Sequence, residues 1–320
     1  MKKYLSPSLC LLALGGLILF SRQAAESARE ALSVCFGLIL PTLFPFFVIS
    51  VLMSRVGLPL YLGRLFAPAA KKLFRVSGAG ASALFVGLCG GYPMGAAYIG
   101  DMLISGSIDG QEAEHLLAFC NNSGPAFIIS AVGVGVFSSP AAGVFLYCIH
   151  IAAAVLSGVL LRSYGCGGTA AKKVHIESMD FFTALPEAVR QSVQSVLNVC
   201  GFVVCFSVLT GLLDSSGRLS ALSNILSLRT GIEPQWFRAL FCGMLELGSG
   251  AAALRSLPLT PSTLALAAGI LGWGGFSVHF QTLSVISQSG AKGALHMAGR
   301  LLSAGISALL ALLLGNLFSF

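Results

Sequence analysis

GGYPMG, residues 90–95, interrupts an otherwise apolar stretch of this chain that runs from Val76 to Ser105. Glycine and proline break helices, and a bilayer offers no water to the backbone groups that such a break exposes. The break is therefore stable at membrane depth only beside other protein or a wet cavity. The sequence NNSGP, residues 121–125, interrupts the next apolar stretch, Leu116 to Phe137, in the same way. The first half of the chain thus predicts a re-entrant hairpin followed by a discontinuous helix.

The second half of the chain repeats this arrangement. ELGSG, residues 246–250, interrupts the stretch from Phe237 to Leu254, and GWGG, residues 272–275, interrupts Leu264 to Ile286. The charged loops give the span before each hairpin the opposite direction across the membrane, which predicts two inverted repeats. Interrupted segments at matching places of two inverted halves point to the binding site of a transporter.

Composition places most of the chain in lipid. Of its 320 residues 56% are hydrophobic and 10% are charged, whereas an ordinary soluble domain carries about a quarter charged residues. Stretches of about 20 apolar residues span a bilayer, and in lipid they must be helical. The chain is therefore predicted to be an all-α polytopic membrane protein. The expected simple spans are Leu5–Phe20, Ser33–Met53, Ala141–Leu161, Val193–Leu213 and Leu301–Phe320.

These spans divide the chain into four predicted parts. Residues 1–31 form an N-terminal transmembrane helix, expected to be retained, with an external loop, and residues 32–162 form the first repeat. Residues 163–191 form a cytoplasmic loop, and residues 192–320 form the second repeat.

The net charge of +7 reports topology rather than nucleic-acid binding, because the basic residues lie in short connections between apolar spans. The segment from Ser54 to Arg75, the central loop over residues 164–189, and Lys292 with Arg300 are each expected in the cytoplasm. The loop from Arg22 to Glu30 is then external, with the N-terminus inside and the C-terminus outside. The predicted location is the bacterial cytoplasmic membrane.

The breaks supply the candidate site residues. Glu246 is the only acid in its apolar stretch, and such residues are costly enough in a membrane to predict a role in substrate, ion or proton binding. A structural hydrogen bond to a backbone break is the alternative for Glu246. His279 could carry a proton or donate to an anion. The predicted substrate contacts are Tyr92, Asn121, Asn122, Ser123, Glu246, Ser249, Trp273, Ser277 and His279. The predicted break positions are Gly90, Gly91, Pro93, Gly95, Gly124, Pro125, Gly248, Gly250, Gly272, Gly274 and Gly275.

No enzyme signature accompanies these residues. The sequence has no Walker motif, no H-E-x-x-H and no G-x-S-x-G elbow. A hydrolase built on Ser249 and His279 would lack a third residue to orient the base. The nine cysteines are dispersed without metal-ligand spacing. We therefore expect a non-enzymatic protein with no cofactor and no metal site.

Three runs of sequence carry a resemblance to a known family. They are GYPMGA at residues 91–96, AFCNNSGP at residues 118–125 followed by Phe127-Ile128, and GWGGFSVH at residues 272–279. From about Leu32 to Phe320 the chain resembles the YlbJ-type sporulation integral membrane proteins. These belong to the wider Gate-domain, or nucleoside-recognition, group related to concentrative nucleoside transporters.

The resemblance implies transport of a small polar solute in spore-forming bacteria, with export of the organic anion dipicolinate toward the spore as the leading expectation. The membrane would then be the mother-cell or outer forespore membrane. A nucleoside transporter and a non-transporting assembly protein of sporulation are the alternatives. Expected partners are the solute, a coupling proton or sodium ion and the lipid bilayer, with homo-oligomerisation left open.

Overall fold

The computed structural model describes residues 2–164 and 179–317, which are almost entirely helical. The α-helices of the first half are α1 (Lys2–Leu19), α2 (Ser21–Val34), α3 (Leu40–Arg55), α4 (Leu58–Phe74), α5 (Gly78–Gly90), α6 (Met94–Ile104), α7 (Gly110–Cys120) and α8 (Pro140–Leu160). Those of the second half are α9 (Phe181–Ser215), α10 (Arg218–Thr230), α11 (Pro234–Leu245), α12 (Leu247–Ala253), α13 (Pro261–Trp273), α14 (Gly275–Ile286) and α15 (Ala294–Leu314). π-Helical segments join α2 to α3 (Cys35–Ile39) and follow α7 (Ala126–Val134).

Five helical stretches in the described residues are long and apolar enough to cross a membrane. A sixth could form from α4 and α5, which are bent by 95° at their junction. Leucines on the outer surface, such as Leu12 and Leu301, are 72% and 66% exposed, as expected of side chains that contact lipid. The prediction of an all-α polytopic membrane protein is confirmed. The five stretches are Ser21–Arg55, Pro140–Leu160, Phe181–Ser215, Pro261–Ile286 and Ala294–Leu317, whereas the predicted first span, Leu5–Phe20, is represented by the shorter apolar helix Pro7–Leu19.

The two halves follow the same element order. A long span (α2–α3 or α9) leads into a short helix (α4 or α10), a hairpin (α5–α6 or α11–α12), a broken helix (α7 with its π-helix, or α13–α14) and a final span (α8 or α15). The final span of each half packs against the broken helix of the other, α8 on α13 and α15 on α7. The predicted hairpins and discontinuous helices are confirmed, and their breaks are brought together in the centre of the molecule.

Two expectations about charged residues are wrong. The expected external loop from Arg22 to Glu30 is helical, as part of α2, and an ion pair of 2.9 Å between Arg22 and Glu26 supports one turn of it. Arg300, expected in a loop before the last span, lies inside α15 and is fully buried. Both differences have the same physical reason: a charged residue does not by itself end a helix, and α2 and α15 continue through these positions.

The central loop is shorter than expected, because α9 already begins at Phe181. The side chain of Asp180 caps this helix by accepting hydrogen bonds from the backbone N–H groups of Phe182 (2.9 Å) and Thr183 (3.3 Å). Residues 165–178 of the expected loop, and residues 318–320 of the last expected span, lie outside the described part of the chain.

Candidate substrate-binding site

The four predicted breaks meet at one small cavity of about 50 Å³, which we call the inner cavity. The first three breaks contribute residues to its wall, and the fourth contributes through α14, the half-helix that follows it. Apolar residues of α3, α9 and the π-helix between α2 and α3 complete the wall. By volume it holds about three to five water molecules, so a larger solute could enter only after a hairpin moves. The polar or break residues that line it are Gly90, Gly91, Tyr92, Ser123, Gly124, Pro125, Glu246, Gly248, Ser277 and Gln281.

Three hydroxyl groups on this wall have no hydrogen-bond partner among the described residues. They belong to Tyr92 at the tip of the first hairpin, Ser123 in the first broken helix and Ser277 in α14. Their residues are 7%, 1% and 0% exposed, respectively. Buried polar groups are nearly always hydrogen-bonded, and leaving one unpaired costs about 1–3 kcal/mol. Three such groups around one cavity are suited to bind a polar solute.

Two half-helices also begin at the inner cavity without a side-chain cap. The π-helix after α7 begins at Ala126, and α14 begins at Gly275 after a left-handed glycine, Gly274, with φ of 87°. Ala126, Ser277 and other residues of these first turns line the cavity. The free N–H groups and the positive end of the helix dipole favour an anion at such places.

Glu246 lies at the tip of the second hairpin, between α11 and α12, and is 2% exposed. Its carboxylate caps α12 by accepting hydrogen bonds from the backbone N–H groups of Gly248 (2.8 Å) and Ser249. Both carboxylate oxygens therefore bind the backbone of the hairpin tip, which is the structural role given above as the alternative to solute or ion binding. Because Glu246 also lines the inner cavity, any solute bound there would contact this hairpin tip.

A second, larger cavity of about 1080 Å³ reaches the other side of the same hairpin tip, and we call it the outer cavity. Glu246 and Gly248 line both cavities, as do Ile39, Phe127 and Val203, so the tip forms part of the wall between them. Its wall also carries Ser249, an ion pair of 2.7 Å between Arg238 and Asp214, and Arg255, which donates to the Gly135 carbonyl (2.8 Å). The outer cavity therefore reaches the same hairpin tip that lines the inner cavity.

The remaining predicted contact residues do not line the inner cavity. Asn121 and Asn122 are fully buried, and their amides bind protein groups. The Asn121 amide accepts from the Ala96 N–H (3.2 Å) and donates to Thr282 Oγ1 (2.8 Å). The Asn122 amide donates to the Phe119 carbonyl (2.8 Å). The structure thus uses both asparagines to fix the break itself.

Trp273 and His279 also lie outside the wall of the inner cavity. The Trp273 indole donates to the Met244 carbonyl (3.1 Å), and its ring packs on His279 with centroids 4.2 Å apart. Within the described part of the chain neither ring nitrogen of His279 has a hydrogen-bond partner, and the centre of its ring lies 5.1 Å from that of His296. Ser249, the last of the predicted contacts, faces the outer cavity and lies 3.4 Å from Ser207.

Arg300 is the residue next to the site that sequence reasoning missed. Its guanidinium donates to the carbonyls of Gly272 and Asn121 and to the side chain of Asn122, so it contacts both broken helices. The available signal was the mostly apolar sequence on both sides of Arg300. In the structure, α15 begins at Ala294, about two turns before this arginine. A charged residue inside such a run is a candidate functional residue.

Comparison with known proteins agrees with the motifs. No model of a known protein family matches the chain. The chain is 29% identical over 317 residues to the sporulation integral membrane protein YlbJ of Bacillus subtilis (strain 168), covering 90% of this chain and 77% of that protein.

Two solved structures of CNTnw, a concentrative nucleoside transporter, share the fold at 13% sequence identity. The outward-facing state gives a TM-score of 0.59 over 99% of this chain and 85% of that one. An intermediate state gives 0.52 over 100% and 86%, respectively. The resemblance predicted from the motifs is confirmed: the chain is similar in sequence to the sporulation membrane protein YlbJ and has the fold of concentrative nucleoside transporters.

Proposed function

We propose that this protein is a secondary transporter of a small organic anion, with the aromatic dicarboxylate dipicolinate as its leading solute. The observation that carries the proposal is the set of three unpartnered hydroxyls, of Tyr92, Ser123 and Ser277, around the inner cavity. The two uncapped half-helix N-termini beside them supply further donors and a positive potential. The choice of dipicolinate among organic anions is part of this proposal and is supported by the similarity to a sporulation protein.

The movement that we propose is displacement of the second hairpin. Its tip is part of the wall between the two cavities, and at about 50 Å³ the inner cavity is too small for a dicarboxylate while the tip is in place. Separation of Glu246 and Gly248 from the first broken helix would open the site to the outer cavity. The same solute would be released when the opposite side opens, as in transporters that alternate access around a fixed site.

We further propose that the outer cavity opens away from the cytoplasm. Arg55 ends α3 beside the start of α9, where it binds Gln191 (3.1 Å), and the basic segment that follows α3 belongs inside by its charge. The cavity lies toward the opposite side, beside α2 and the C-terminal end of α9, where Glu30 and Asp214 line it. This orientation places the N-terminus of the chain in the cytoplasm, with α1 crossing outward.

A nucleoside is the second candidate solute, because the solved structures with this fold are of a nucleoside transporter. Its ribose and base could use the same three hydroxyls as acceptors and donors. A nucleoside carries no negative charge, so it would gain less than a dicarboxylate from the two half-helix N-termini. The two solutes can therefore be separated by direct binding measurements.

The test is solute-induced thermal stabilisation of the purified protein, since a ligand that binds the folded state raises its Tm. We expect dipicolinate to stabilise wild type more than uridine does. Tyr92→Phe, Ser123→Ala and Ser277→Ala each remove one hydroxyl and should weaken dipicolinate binding by about 2- to 12-fold, the equivalent of one neutral hydrogen bond.

Ser307→Ala is the matched control for these variants. Ser307 on α15 is also buried with an unpartnered hydroxyl, but it is not part of the inner cavity wall. Its loss should leave dipicolinate binding unchanged. Equal effects of Ser307→Ala and the three cavity variants would contradict the proposed site, and stabilisation by uridine alone would move the proposal to nucleosides.

A further inference from the structure

Arg300 uses every N–H of its guanidinium within the protein. Nε donates to the Gly272 carbonyl (2.9 Å), and Nη2 donates to the same carbonyl (2.7 Å) and to Ser303 Oγ (3.0 Å). Nη1 donates to the Asn121 carbonyl (2.8 Å) and to Asn122 Oδ1 (2.7 Å). A guanidinium carries five such donors, so none is left for a solute. Arg300 is therefore a fixed positive charge rather than a ligand-binding group.

The carbonyls that surround this charge are the C-terminal ends of two half-helices. Asn121 directly follows the last residue of α7, and Gly272 lies in the last turn of α13. The C-terminus of a helix carries about half a negative charge, so the two ends together offset one cation. Among the described residues no carboxylate pairs with Arg300. Its countercharge comes from helix ends and amide oxygens alone.

Close backbone contacts hold α15 against both half-helices on either side of Arg300. A Cβ on Gly299 would lie 2.3 Å from the Ala118 carbonyl oxygen of α7, and a Cβ on Gly272 would lie 2.7 Å from Ala304 Cα of α15. Neither approach is open to a residue with a side chain. One turn before Arg300, His296 Nδ1 lies 2.9 Å from the Leu117 carbonyl, at a third contact with α7. The packing thus positions the guanidinium between the two helix ends.

Half-helix C-termini and unwound carbonyls are the groups that bind a coupling sodium ion in many secondary transporters. We propose that the Arg300 guanidinium is a built-in cation that takes the place of such an ion, so that solute binding and transport by this protein need no sodium. The charge also lies close to the candidate site, with Cζ 5.8 Å from the centre of the Tyr92 ring. Arg300 is a positioning residue, since it holds both broken helices while the solute binds elsewhere.

The test replaces the internal cation by an added one. Arg300→Ala leaves a space bounded by the Gly272 and Asn121 carbonyls, and we expect its Tm to be lower than that of wild type. Guanidinium chloride at millimolar concentration should restore part of that Tm, because the free ion can occupy the vacated position, whereas urea should not. Wild type should keep the same Tm in sodium and in choline chloride.

Two further variants complete the experiment. Arg229→Ala, an exposed arginine at the end of α10, is the control and should show no response to guanidinium. Arg300→Lys keeps the charge but cannot reach all the acceptors, so we expect a Tm between those of Arg300→Ala and wild type. If Arg300→Ala does not fold, the Tm of Arg300→Lys is compared with that of wild type instead. In proteoliposomes, Arg300→Ala should lose about 10- to 100-fold of the solute flux, the equivalent of one charged hydrogen bond.

The transport consequence rests on the proposed function, but the Tm measurements need no transported solute. If guanidinium raises the Tm of Arg300→Ala but the wild-type protein transports no solute, the cation-binding position is supported and the proposed function is contradicted. Absence of any guanidinium effect on Arg300→Ala, or a Tm of wild type that rises specifically with sodium, would overturn the proposal.

Discussion

Glu246→Gln is expected to reduce solute flux by at least about 100-fold. The carboxylate caps α12 with both of its oxygens, and each charge-assisted hydrogen bond contributes about 1.5–3 kcal/mol. Glutamine keeps one acceptor and turns an NH2 group toward the N–H of Gly248 or Ser249. The tip between the two cavities then loses the cap that fixes its shape, and we expect this loss to outweigh any gain in anion binding from removal of the negative charge. Flux in proteoliposomes, normalised to the amount of folded protein, gives the measurement.

Glu26→Gln is the matched control for this change. Glu26 lies on the exposed face of α2 and forms an ion pair with Arg22. This pair links residues one turn apart on the same helix. Exposed pairs of this kind contribute less than about 1 kcal/mol, so flux and Tm should stay at the wild-type level. If Glu246→Gln transports as well as Glu26→Gln, the tip carboxylate has no role in transport.

Gly87→Ala is expected to lower the free energy of unfolding by about 3 kcal/mol or more, and with it the yield of folded protein. A Cβ at Gly87 would lie 1.5 Å from the Cys120 carbonyl oxygen, and a Cβ at Gly95 would lie 2.7 Å from the same atom. The end of α7 is therefore enclosed between the two arms of the first hairpin. Any side chain at Gly87 must push α7 away and displace Asn121 and Arg300 with it.

Gly201→Ala provides the comparison, because a Cβ at this position of α9 has no atom within 4 Å. Alanine favours a helix over glycine by about 1 kcal/mol, so stability should be equal or slightly higher. Thermal unfolding in one detergent measures both variants. A Gly87→Ala protein as stable as Gly201→Ala would show that the hairpin does not pack on α7 in this way.

The breaks could be predicted from sequence because their signal is local. Glycine, proline and amide residues stand out in an apolar run, and all four runs are broken where these residues occur, for example at Gly91 and at Gly274. The repeated order of elements followed from the same pattern. Tyr92, Ser123, Glu246 and Ser277 were likewise candidates because they lie at the breaks, and the structure places these four on the inner cavity.

The partners of each polar side chain could not be predicted, because they come from distant parts of the chain. Asn122 looked like a substrate contact, but it binds Phe119 and Arg300. Arg300 looked like a loop residue, but α15 extends past it and brings it between α7 and α13. Sequence spacing gives the position of a residue on its own helix and leaves open what that helix packs against.

The central claim is that an organic anion crosses the membrane through the inner cavity. The most direct test is flux of radiolabelled dipicolinate into proteoliposomes that contain the wild-type protein, with uridine as the comparator and protein-free liposomes as the blank. We predict saturable dipicolinate flux that persists without sodium and is lost in Glu246→Gln. No dipicolinate flux from protein that retains its wild-type Tm, or saturable flux of uridine alone, would contradict the account.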